Sequence, residues 1–209
     1  PRIVWAAKGV DMDRIDTLLA AEGLILVREH AELRSALHSR WREGTLIRLH
    51  PGVYAPGGPV SQNLRLLALC RWAPRGVIHG ATGAALWLDA WTGGVVHLAN
   101  PVRLVATPGV LVTLRSIPAE HVWRLRGLAV ASAAYCAAEL AAVDDGRSAM
   151  QMFLAGLTSG DAVEDAARAL VGTSGNAARQ RVVKGLAANP WSPAERLLHD
   201  LMRGAGITN

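Results

Sequence analysis

Between Asp11 and Glu22 the apolar residues Met12, Ile15, Leu18 and Leu19 recur at helical spacing, and the run stops at Gly23. Leu24-Ile25-Leu26-Val27 is apolar without a break and too short for a helix, so it predicts an extended segment. Glu29–Glu43 returns to the helical period. Leu33, Ala36, Leu37 and Trp41 share one face there, and Gly44 follows in the position that commonly ends helices. Thr45–Leu49 and Gly52–Ala55 read as two strands around His50-Pro51, and Pro56-Gly57-Gly58-Pro59 reads as a linker.

Beyond the linker, Ser61–Trp72 and Ala81–Leu88 predict amphipathic helices. Val95–Ala99, Arg103–Ala106, Val110–Arg115 and Leu128–Val130 are short β-branched runs punctuated by Pro101, Pro108 and Pro118, the texture of a small sheet. From Ala131 to Gly204 the pattern is helical, with breaks at Gly146, Gly156, Gly160, Gly172–Gly175 and Asn189-Pro190. The expectation is an α+β protein. It begins with a winged helix-turn-helix at residues 1–57, followed by a mixed domain at 58–189 with a small sheet and a helical C-terminal half. A C-terminal helix occupies 190–209.

Composition narrows the class. The chain has 209 residues, 51% of them hydrophobic, enough for a real core. Only 5% are aromatic, so Ala, Leu and Val must fill that core, with the seven Trp residues acting as plugs at domain edges. Cys70 and Cys136 stand far apart without C-x-x-C spacing, which argues against a disulfide framework or a zinc site and fits a reducing cytoplasm. Residues 1–16 lack the pattern of a secretory leader, and uncharged runs such as Gly127–Ala138 are too short to span a bilayer. A cytoplasmic protein without a membrane partner is expected.

Net charge is +5, which is compatible with nucleic acid only if the charge is localised. The predicted helix Glu29–Glu43 gathers cationic side chains on one face, although its three arginines are matched by three glutamates. Arg34 and His38 are four residues apart and share a face opposite much of the Leu33/Leu37 stripe, with Ser35 and Ser39 beside them. Such a face can enter a major groove and meet acceptors such as guanine O6 and N7. Arg40 and Arg42 near the helix end, and Arg48 and His50 on the hairpin, are placed to hold phosphates. Arg28, just ahead of the helix, joins this DNA-binding set. The alternative is an ordinary solvated helix face, with Glu29, Glu32 and Glu43 diluting the positive field.

Gly44-Thr45-Leu46-Ile47-Arg48-Leu49-His50-Pro51-Gly52-Val53-Tyr54-Ala55, the string G-x-L-x-R-x-x-P-G-V-Y-A after a short basic helix, resembles the winged-helix domain of the AbiEi family. These are antitoxins of type IV toxin–antitoxin systems, abundant in actinobacteria. The likeness continues more weakly at Gly80–Leu86 and at Arg126–Ser132. It implies a transcriptional repressor that binds repeats in its own promoter, as double-stranded DNA, beside a nucleotidyltransferase-like toxin; paired half-sites would suit a homodimer or two tandem copies.

A second resemblance lies at the end. Pro190–His199 and Arg203–Ile207 look like the opening helix of a Vsr-like endonuclease domain. Ser192 suits an N-cap, Pro193 a first turn, and Glu195 the positive helix end. Fourteen residues follow Glu195, and Asp200 is the one carboxylate among them, too few for metal-assisted cleavage. A truncated nuclease remnant, or a helix kept for packing, is what this implies. A protein-interaction module that neutralises a toxin without touching DNA is the third reading.

Other patterns carry less. Gly172-Thr173-Ser174-Gly175-Asn176 precedes a helix with Arg179, Arg181 and Lys184, a start that could hold a phosphate, but Thr173 or Ser174 as a plain N-cap accounts for it. His79, His97 and His121 are single and read as strand or edge residues. No G-x-S-x-G, H-E-x-x-H or P-loop pattern occurs, so neither an enzyme nor a cofactor or metal is expected.

Overall fold

The computed structural model describes residues 14–188, 201, 202 and 204–206. The chain forms two compact units, Pro1–Arg75 and Gly76–Asn209. Each combines helices with a sheet, an α+β architecture.

The first unit starts with helix α1 over residues 14–22, then β1 (Ile25–Leu26). A 3-10 turn at Ala31–Leu33 runs directly into α2 (Arg34–Arg42). β2 (Leu46–His50), β3 (Val53–Pro56) and α3 (Gln62–Trp72) follow. The antiparallel sheet has the order β1-β3-β2. Side-chain alternation splits its residues between two cores. Ile25, Leu46 and Tyr54 join Ile15, Leu19, Leu33 and Leu37 of the helices on one face. Leu24, Leu26, Val53 and Ala55 join Ala68 of α3 on the other.

That second core moves the boundary. The sequence suggested a division at Pro56–Pro59, whereas α3 belongs with the N-terminal sheet and the division falls after Arg75. Ser61 caps α3 by accepting from Leu64 N (3.2 Å), so the Pro/Gly stretch is a connection within the unit.

The second unit holds β4 (Val77–Ile78), α4 (Gly80–Trp87), β5 (Val96–Asn100), β6 (Val110–Leu114), β7 (Val122–Leu125), β8 (Leu128–Ala131) and, over its described residues up to 188, further helices. These are α5 (Ala133–Leu140), α6 (Arg147–Leu154), α7 (Gly160–Arg168) and α8 (Asn176–Ala188). Its sheet runs β6-β5-β4-β8-β7, with parallel pairs β5/β6 and β4/β8 and antiparallel pairs β4/β5 and β7/β8.

Two expectations change here. Residues 103–106 form no strand, because β6 lies parallel to β5 and this segment is the return connection between them. β7 is an added edge strand, turned into β8 by Arg126 (φ +51°) and Gly127 (φ +81°), the paired positive dihedrals of a tight hairpin. The helical core is built from small residues that permit close approach. A Cβ on Gly83 of α4 would lie 2.6 Å from Cys136 Sγ of α5, so that crossing requires glycine.

Among the described residues no helix is long and apolar enough to cross a membrane.

Candidate nucleic-acid interface

Leu33 and Leu37 anchor α2 in the core, both fully buried, which turns Arg34, Ser35, His38, Ser39 and Arg42 outward. Its end is closed by paired hydrogen bonds from Gly44 N to Trp41 O (3.1 Å) and Thr45 N to Arg40 O (3.0 Å), with Gly44 at φ +79°. This is a Schellman motif, and it sends the chain straight into β2. The β2–β3 turn has Pro51 at its second position and Gly52 at its third, φ +73°, as a type II turn requires. Gly52 O accepts from Val27 N at 2.9 Å, which ties the turn back toward β1.

Arg34, Ser35 and His38 line one open cleft of about 580 Å³ together with Val27, Gly52 and Tyr54. Three of the four residues expected to face bases thus share a single concavity, and the fourth, Ser39, is not part of its lining. Trp41, one helical turn on, meets the His38 ring edge-on at 5.3 Å between centroids. The Arg48 guanidinium lies over the Trp41 indole, 4.7 Å from its centroid. Arg48 pairs across the sheet with Tyr54, so the hairpin directs it to the α2 side. Sequence reasoning assigned Trp41 to the apolar stripe, and it does lean on the core. Its second role depends on Arg48, which lies on a different element.

The remaining predicted contacts divide by their partners. Arg42 is exposed and, like Arg34, has no ion-pair partner among the described residues. Arg40 is drawn inward. Its Nη1 pairs with Asp16 of α1 at 2.6 Å, and its side chain is only 16% exposed. Ser39 donates to Glu43 at 3.2 Å. Arg28 donates to the carbonyls of Arg71 (2.6 Å) and Trp72 (3.4 Å), closing the end of α3.

His50 leaves the surface altogether. An alternating strand would place Arg48 and His50 on one face, but the register shifts between them, leaving Leu49 as the extra residue. His50 is thereby rotated to the α3 side, is 8% exposed, and stacks on Trp72 at 5.0 Å between centroids. Burial lowers its pKa to about 4. A phosphate contact from this residue is excluded by that packing.

The second unit contains a polar cluster that the sequence reading missed. His79, at the end of β4, is buried. Its Nδ1 lies 2.8 Å from Glu139 Oε2 of α5, and Arg115, just past β6, donates to Glu139 Oε1. Arg115 also lies over the Tyr135 ring at 5.6 Å. Thr82 Oγ1 and His97 Nδ1 are 3.2 Å apart beside it. Burial raises the Glu139 pKa, but the His79 hydrogen bond and the charges of His79 and Arg115 outweigh it, so the carboxyl titrates below its ordinary range. A carboxylate orienting an imidazole resembles a general-base pair, yet His79 is 4% exposed and sealed by its neighbours. The cluster joins β4, β6 and α5. Among the described residues no group of three or more His, Cys, Asp or Glu could hold a metal.

Of the basic residues on the helix after the Gly172–Asn176 turn, Arg181 and Lys184 are exposed, while Arg179 is not available to a phosphate. Arg179 is 2% exposed and turns inward, donating to the carbonyls of Ala138 (2.9 Å), Leu170 (3.3 Å) and Ser174 (3.2 Å). Thr173 donates back to Leu170 O at 2.7 Å, and α8 begins three residues later, at Asn176. The Vsr-like residues Pro190–Asp200 lie outside the described residues, as do Arg203 and Ile207.

No family model matches the chain, and no curated protein matches it either. Among solved structures it is similar to the RV2827C protein from Mycobacterium tuberculosis. The TM-score is 0.59 at 18% identity, over 90% of this chain and 79% of that one. The likeness is one of fold.

Proposed function

We propose that the first unit is a winged-helix module that binds double-stranded DNA, with α2 reading the major groove and the β2–β3 hairpin holding the backbone. The observation that carries this reading is the distribution of unneutralised charge. Arg14, Arg28, Arg40 and Arg71 each pair with a carboxylate, through Glu32, Glu29, Asp16 and the Glu22/Glu29 pair respectively. Arg34 and Arg42 have no such partner among the described residues, and Arg48 rests on an aromatic ring. Three of the cations left without carboxylates, Arg34, Arg42 and Arg48, are grouped on α2 and the adjoining hairpin, where a polyanion can approach them together, while exposed Arg65 of α3 and Arg75 also lack a carboxylate partner among the described residues. Arg34, His38 and Arg42 follow one another at four-residue spacing along α2.

The AbiEi-like string at Gly44–Ala55 supports a more specific reading: a repressor of its own promoter, acting as the antitoxin-like half of a toxin–antitoxin pair. A gel-shift titration with the upstream region of its own gene, at two salt concentrations, tests the first part. A salt-dependent shift that survives competitor DNA is expected, and no shift at low salt would overturn it. Affinity capture by the tagged chain of a co-expressed nucleotidyltransferase-like neighbour tests the second.

A further inference from the structure

From the chemistry of the α2 cleft we infer that it receives the 5-methyl group of a thymine, so that the site reads a T·A pair beside the base met by Arg34. This rests on the DNA reading above and adds a specificity to it. The exposed lining of the cleft is polar, Arg34, Ser35 and His38, whereas its buried lining is Val27 and the largely hydrocarbon side chain of Tyr54, with Gly52 half-buried beside them. Val27 and Tyr54 are buried, so only a group that inserts past the rim reaches them.

A phosphate does not suit such a floor. It would exchange hydration for hydrocarbon, and Arg34 on the rim can meet it without its entering. Base edges in the major groove present donors, acceptors and a single kind of apolar group, the thymine methyl. An apolar recess next to hydrogen-bond donors on the reading helix is complementary to that combination.

The floor is also fixed in place. Tyr54 pairs with Ile25 across β1/β3, and Gly52 O is held by Val27 N at 2.9 Å. Glycine at position 52 leaves Val27 without a side-chain neighbour from the turn. A Cβ there would stand 3.7 Å from Val27 Cβ, against the floor, and the φ of +73° disfavours any side chain.

The test begins with the full chain and a duplex library of random centre, from which bound sequences are enriched. The same enrichment with Arg34→Ala identifies the base position that Arg34 reads, as the one whose preference relaxes. Each thymine of the best duplex is then replaced singly by deoxyuridine, which removes only the methyl. A loss of about threefold to fivefold is expected at one thymine adjacent to the Arg34 position, with the other thymines nearly silent. Val27→Ile, which adds a methylene to the floor, should erase the difference between the thymine and deoxyuridine duplexes. Enrichment of a sequence without any deoxyuridine effect, or with the effect remote from the Arg34 position, overturns the inference and leaves DNA binding intact. Failure to enrich any duplex overturns both.

Discussion

Arg48 of β2 lies over the ring of Trp41 of α2, the guanidinium carbon 4.7 Å from the indole centroid, so the hairpin's outward cation is held in register with the helix that carries Arg34 and His38. A free arginine samples many rotamers, and ordering it on contact with a phosphate opposes binding. Trp41→Leu, which keeps apolar volume and removes the ring face, should weaken binding to all duplexes by about twofold to fivefold. Trp41→Phe should restore most of the loss. Filter binding on unrelated sequences checks this. Equal losses for both variants would mean that the ring face is irrelevant.

Arg34 and Arg48 should separate specificity from affinity. Arg34→Ala is expected to cost about 1–3 kcal/mol on the preferred duplex and to relax discrimination at one base position. Arg48→Ala should weaken every sequence alike and reduce the slope of log K against log salt by about 1. Binding isotherms on matched and mismatched duplexes at several salt concentrations distinguish the two, and identical profiles would contradict the division.

His50 should show itself in stability and be silent in DNA binding. Its folded pKa is lowered to about 4 from the ordinary 6.5, so below 6.5 the unfolded chain takes up a proton that the folded chain refuses. Stability is accordingly lost as pH falls from 6.5 toward about 4. His50→Phe, which keeps an aromatic ring against Trp72, should flatten that decline and leave duplex affinity unchanged. Urea melts across this window measure the first effect, and gel shifts the second.

Glu139 should act at lower pH. Its carboxyl titrates below the usual range, so its stabilising effect is complete at neutral pH and is lost only as pH falls through that lowered value. Glu139→Gln leaves Arg115 and His79 facing each other without a carboxylate, and should destabilise the second unit by about 2–4 kcal/mol near pH 7. The deficit should shrink in acid, where the wild-type carboxyl is itself protonated. Chemical denaturation at the two pH values tests the sign.

Much of the candidate interface is legible from local pattern. The Leu33/Leu37 stripe places Arg34 and His38 outward, Gly44 marks the end of α2, and Pro51-Gly52 marks the turn, each within a window of a few residues. Less of the second unit could be read. β4 has two residues and β7 lies at the sheet edge, so neither offers a run long enough for its period to stand out. His79, Arg115 and Glu139 meet only because strands far apart in the chain become neighbours, and no spacing announces that cluster.

The amino-acid order alone determined which residues share a helix or strand face, because that depends on backbone repeats of 3.6 and 2 residues. Tertiary structure decided which of the exposed cations remain free. Arg40 is neutralised by Asp16, 24 positions away, Arg179 is drawn in by carbonyls of other segments, and one extra residue at Leu49 turns His50 from the surface to Trp72. Partners contributed by distant segments, and a bulge accommodated by the strand opposite, arise only when those segments are packed together.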